Sequence, residues 1–111
     1  MLQGLLEFID VISNEEYQRR VWERVEGPEC DDFDETMTYF FDESEPILKS
    51  YKDFGISDNQ YQLLLKFHNE LDIFSDEMLY LPVQIIISDP RWKEIRIMAK
   101  EVLKAFKFHK E

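Results

Sequence analysis

"FDETMTYFFDESEPILKSY", residues 33–51, decides the fold. Phe33, Met37, Phe40, Phe41, Ser44, Leu48 and Tyr51 recur at steps of four, three, one, three, four and three. That is the inward stripe of an amphipathic helix and has none of the alternation of a half-buried strand. Asp31 or Asp32 supplies an N-cap, and acids in the first turn suit the helix dipole. Pro46 lies inside the stripe without a backbone donor, so a kink or a split into two helices is expected there. Gly55 ends the segment.

The same periodicity extends in both directions. Upstream, Leu2, Leu5, Leu6, Ile9 and Ile12 predict a short first helix. Ser13 and Asn14 can both cap a second helix through "EEYQRRVWERVE", Ser13 forming a capping box with Glu16 three residues on, with Tyr17, Val21 and Trp22 inward and a stop at Gly27-Pro28. Downstream, Ser57 caps a helix whose face is Tyr61, Leu64, Leu65, His68 and Leu71, widened by Leu63, Phe67 and Phe74. Residues 75–89 are open between a short helix and an extended stretch around Pro82. Ser88 or Asp89 then caps a last helix from Pro90, with Trp92, Ile95, Met98 or Ala99, Val102, Leu103 and Phe106 inward. Lys100, Lys104, Lys107 and Lys110 gather toward its C-terminus. The expectation is all-α: one domain spanning 1–111, a bundle of about five or six helices.

At 111 residues, 44% apolar and 14% aromatic, the chain has enough material for a core without a staple. Cys30 is the one cysteine, which rules out an intramolecular disulfide and fits a reducing compartment. Glu7 and Asp10 interrupt the apolar N-terminal stretch against a secretory signal, and no run approaches a membrane span. A cytoplasmic location is expected.

Net charge is -11 and unevenly placed: residues 1–30 carry -4, residues 31–77 carry -10 and residues 78–111 carry +3. Residues 29–46 hold eight carboxylates and neither lysine nor arginine. Phosphate recognition needs basic side chains, so nucleic acid and anionic membrane are disfavoured as partners and a cationic protein is favoured. The basic last helix reads as dipole-complementing surface, its lysines interleaved with Glu94 and Glu101.

The acidic run also fits poorly with metal or catalytic chemistry. A calcium loop starting at Asp32 places Asp34, Thr36 and Glu43 at ligand positions, but its sixth position, which needs Gly, is Met37 of the apolar stripe. Neither His68 nor His109 is preceded by Glu at the spacing of a di-iron bundle. His68 sits on an apolar face and reads as a satisfied core histidine. Cys30, set among Glu29, Asp31, Asp32 and Asp34, is expected to be a poor nucleophile. No nucleophile elbow, phosphate loop or dinucleotide fingerprint is present. No catalytic residue, metal or cofactor is expected, and the chain is read as a non-enzyme.

The runs "DFDET" at 32–36, "YKDFGISDNQY" at 51–61, and "WKEI" with "MAKEVLKAF" between 92 and 106 resemble small bacterial immunity proteins of contact-dependent growth inhibition systems. The likeness extends from about Glu7 to Phe106. It implies a cytoplasmic, non-catalytic protein that binds and neutralises the C-terminal toxin domain of a cognate effector. Many such domains are nucleases, whose cationic grooves an acidic helix face can fill or flank. The residues expected to face the toxin are Asp31, Asp34, Glu35, Asp42, Glu43 and Glu45, with Thr38 and Tyr39 adding contacts. The alternative is an acidic helical adaptor or regulator that binds a basic cellular protein.

Overall fold

The computed structural model describes residues 2–109, which are 78% helical with no strand among them. Helix α1 is Leu2–Ser13 and α2 is Glu15–Tyr17, which runs directly into a π-helical segment, Gln18–Glu23. Helix α3 is Phe33–Lys49, followed by a 3₁₀ turn at Tyr51–Phe54. Then come α4 (Asp58–Glu77), α5 (Val83–Ser88) and α6 (Pro90–Ala105). The all-α bundle expected from periodicity is the fold.

Four helices form a closed ring in the packing order α1–α6–α4–α3, with α3 returning onto α1. The π-helical segment and α5 pack together at one end, α5 also against α6. At the other end Gln60 Nε2 donates to the Ala105 carbonyl at 3.0 Å, tying the start of α4 to the end of α6. The ring buries the stripes read from the sequence: Leu5, Ile9 and Ile12 from α1, Phe40 and Ile47 from α3, Leu64, Phe67 and Leu71 from α4, Trp92 and Ala99 from α6. Each large apolar side chain so buried contributes about 1.5–3 kcal/mol against the entropy of ordering the chain.

Trp92 is the hub of an aromatic cluster. Its ring stacks on Phe74 at 5.4 Å, meets Phe33 edge-on at 5.6 Å and lies 6.2 Å from Trp22. A second group holds α3 on α4: Phe40 meets Phe67 edge-on at 5.5 Å, and Phe41 meets His68 edge-on at 5.1 Å. Between them these contacts fix the rotation of α3, and therefore which of its acids point outward.

Caps explain where helices begin. Asp32 accepts from the Glu35 amide, Ser57 and Gln60 form a reciprocal capping box, and Asp89 accepts from the Arg91 amide with Pro90 at the first helical position. Arg91 also donates to Asp89 through its side chain, and that bond holds the Asp89 carboxyl below its ordinary value.

Several expectations are corrected. Of the two caps offered by the sequence Asn14 serves, accepting from the Tyr17 amide at 3.0 Å, and the Ser13–Glu16 capping box does not form. Ser13 is buried as the last residue of α1 and donates to the Asp10 carbonyl at 2.7 Å, so its hydroxyl closes the helix behind it. Pro46 does not split α3, which runs through it to Lys49. The centre of the α4 face is Leu64, Phe67, Leu71 and Phe74, with Leu65 and His68 at its margin. Within 75–89 the open choice resolves into both forms: Pro82 is extended and α5 follows it. Lys110 lies outside the described residues.

The second predicted helix is the largest departure. After one α-helical turn the backbone widens, with the Arg24 amide bonding to the Arg19 carbonyl five residues back. The widening accompanies a fully buried Gln18, whose Nε2 donates to the Val11 and Ile12 carbonyls at 2.8 and 2.9 Å. Its Oε1 accepts from the Trp92 indole at 2.9 Å. Gln18 thus satisfies carbonyls at the C-terminal end of α1 and an indole N–H in the core. Past the segment, Gly27 has φ +94°, and a Cβ there would lie 2.5 Å from Arg20 Nη1. That guanidinium makes a bidentate pair with Glu29 at 2.8 and 2.9 Å.

Candidate functional site

The six acids expected to face a partner resolve into three environments around α3. Asp31 precedes the helix and is half-buried: it accepts from the Tyr17 hydroxyl at 2.7 Å and from the Thr36 hydroxyl at 3.4 Å. Partial burial of Tyr17, reinforced by the bond to Asp31, pushes its phenol well above the ordinary value of 10.0. The Asp31 carboxylate is therefore engaged in holding the α2–α3 connection against α2.

Asp34, Glu35, Thr38, Asp42 and Glu45 are exposed. The Thr38 hydroxyl donates to the Asp34 carbonyl at 2.9 Å, which leaves the Asp34 carboxylate outward. Tyr39 is 47% exposed and stacks on Phe8 of α1 with ring centroids 5.8 Å apart, a presented but braced aromatic. Glu43 is set apart: it is half-buried, and its Oε2 is shielded from solvent without a hydrogen-bond partner.

Among the described residues, Asp34, Glu35, Asp42 and Glu45 join no ion pair. The pairs lie elsewhere, as between Arg19 and both Glu15 and Glu23, or between Arg91 and both Glu77 and Asp89. Four exposed carboxylates on one helix thus face solvent without a cationic partner among the described residues. At the ~1.5 Å rise per residue of a helix they fall into two sets, Asp34 with Glu35 and Asp42 with Glu45. Within each set the charges add over the ~8 Å Debye length of physiological salt into a field felt by an approaching cation.

Two grooves flank α3 on its α4 side. One, of about 240 Å³, has Phe33, Met37, Phe41 and Leu79 as apolar lining and Asp34, Asp72 and Asp76 as its acids, with Thr38 and Ser75. Asp72 and Asp76 were outside the predicted set. Their signal in the sequence was an i, i+4 acid pair on the outward face of α4, opposite Leu71 and Phe74. Only the packing of α4 on α3 brings them beside Asp34. Among the described residues no three His, Cys, Asp or Glu side chains converge closely enough to hold a metal ion.

The second groove, of about 650 Å³, is lined by Glu45, Leu48, Lys49, Tyr61, Leu65 and His68. His68 is half-buried at its wall. Nδ1 lies 3.4 Å from Asn69 Oδ1, while Nε2 is shielded without a partner, so the satisfied core histidine expected from the sequence is only half satisfied. Cys30 is exposed.

The fold and site together define a small α-helical bundle that presents a rigid acidic face. Comparison with known protein families, with curated proteins and with solved structures finds no match in any of the three. Among the described residues no helix is long and apolar enough to cross a membrane.

Proposed function

We propose that this chain is an immunity protein that binds and neutralises the C-terminal toxin domain of a cognate contact-dependent growth inhibition effector, acting in the cytoplasm and without catalysis of its own. The observation that carries the reading is the set of exposed, unpaired carboxylates Asp34, Glu35, Asp42 and Glu45 on a helix locked into the core. The sequence runs that resemble immunity proteins supply the partner class. A nuclease toxin needs a cationic groove for phosphate, and carboxylates fixed on a helix complement it without first having to be ordered. Such complementarity raises the association rate and excludes wrong partners.

Co-expression with the C-terminal domain of the toxin encoded directly upstream tests this. Survival of the cells and a stoichiometric complex that co-purifies at low salt are expected. Killing by the toxin together with the absence of any complex at low salt refutes the reading. An adaptor for a basic cellular protein predicts no toxin gene beside this one.

A further inference from the structure

The least water-compatible part of the surface is not on α3. Between α4 and α5, Leu79, Tyr80 and Leu81 are 52%, 93% and 41% exposed, and Ile85 on α5 is 52% exposed. Four large exposed apolar side chains thus fall within seven residues of chain, whereas scattered single exposures are ordinary. The segment is not loose. Met78 is buried in the core and its amide bonds to the Phe74 carbonyl at 3.0 Å, while the Leu81 amide bonds to the Met78 carbonyl at 3.1 Å. Tyr80 has φ +70°, a left-handed backbone that a bulky residue rarely adopts. A glycine would serve this turn at lower conformational cost, and an almost fully exposed tyrosine recovers nothing from the core.

Leu79 belongs at once to this apolar set and to the groove lined by Asp34, Asp72 and Asp76. Apolar anchors and unpaired carboxylates therefore adjoin along one edge of the α3–α4 face. Large apolar side chains ringed by charge have the anatomy of an interface core and its rim.

We infer that Leu79–Leu81 and the adjoining α3–α4 groove form the central docking surface for a cationic protein: Tyr80 enters an apolar pocket of the partner, and a partner arginine or lysine lies in the groove against Asp34, Asp72 and Asp76. This rests on the immunity reading for the identity of the partner, and moves the centre of the interface from the outward face of α3 to its α4 edge. The apolar anchors control how long the complex lasts, and the groove acids control how fast it forms.

The test uses the full chain and the purified toxin domain carrying an inactivating substitution, with binding rates measured at several salt concentrations. Tyr80→Gly is expected to weaken binding at least tenfold, through faster dissociation, while its thermal midpoint matches or exceeds the parent's. Tyr80→Asn, which also tolerates the left-handed backbone, gives the same binding loss and keeps the test valid if the glycine variant melts early. Asp72→Asn with Asp76→Asn slows association and flattens its salt dependence. Ile97→Ser, an exposed apolar position on α6, leaves binding unchanged. If the parent chain binds but the Tyr80 and Asp72/Asp76 variants stay within twofold of it, the docking surface is refuted and the immunity reading stands. If the parent chain forms no complex, both fail.

Discussion

Gln18 joins three parts of the molecule through one amide, and nothing in its neighbourhood of sequence announces this. Polar, and flanked by Arg19 and Arg20, it reads as an outward residue. Its burial depends on carbonyls left open at the end of α1 and on an indole 74 residues away. Gln18→Ala strands those groups and opens a cavity, so a loss of about 3 kcal/mol is expected in urea unfolding, each buried orphan costing about 1–3 kcal/mol. A loss below about 1 kcal/mol would show that the contacts carry little. Tyr17 was legible as an inward aromatic, but it is only half-buried, and its bond to Asp31 was not legible. Because the folded phenol is held above its unfolded value, its contribution is complete below about pH 10 and is lost as pH rises past it. The parent chain should therefore lose stability above pH 10 more steeply than Tyr17→Phe, as read by thermal midpoints across the alkaline range. Equal slopes would contradict the assignment. Tyr51, bonded to Asp58, is shifted in the same direction and is common to both proteins.

The elements were largely legible because each is written in local terms. The α3 stripe, the caps Asp32, Ser57 and Asp89, and the start of α6 at Pro90 follow from residue spacing and backbone chemistry that operate within one or two turns. Where two local solutions compete, residue spacing alone does not decide between them. Ser13 and Asn14 are both good caps, and the length of α1 decides between them: Ser13 remains its last helical residue, so the cap passes to Asn14. Asn14→Ala should cost about 1 kcal/mol, a typical cap loss, and Ser13→Ala clearly less. The reverse order in chemical denaturation would restore the capping box at Ser13. Pro46 illustrates the opposite outcome, a local breaker overridden by packing. Ser44 and Ile47 on either side of it are fully buried, and their contacts keep the helix continuous where one backbone bond is missing.

At the scale of the whole molecule, the ring α1–α6–α4–α3 sorts an acidic chain into faces that the order of residues cannot specify. The exposed acids of α3 were legible because a helix turns its apolar stripe inward and its carboxylates outward. Three refinements needed the tertiary structure: the withdrawal of Asp31 into a bond with Tyr17, the shielding of Glu43, and the arrival of Asp72 and Asp76 beside Asp34. The aromatic contacts of Phe40 and Phe41 with α4 set the rotation of α3 on which the last two depend. What emerges is a helical scaffold holding unpaired negative charge against an apolar edge, the feature on which the proposed charge-steered capture of a basic protein rests. The most direct measurement of the proposed function is the association rate of this chain with the C-terminal domain of the toxin that the immunity reading places in the adjacent gene, followed by stopped flow from low to high salt. The account predicts a complex whose association rate falls steeply with salt, and whose low-salt rate drops about tenfold or more when Asp34, Asp42 and Glu45 are replaced by Asn, Asn and Gln, since steering can raise on-rates by about 10–10³. An association rate indifferent to both salt and these substitutions, or no complex at low salt, would contradict it.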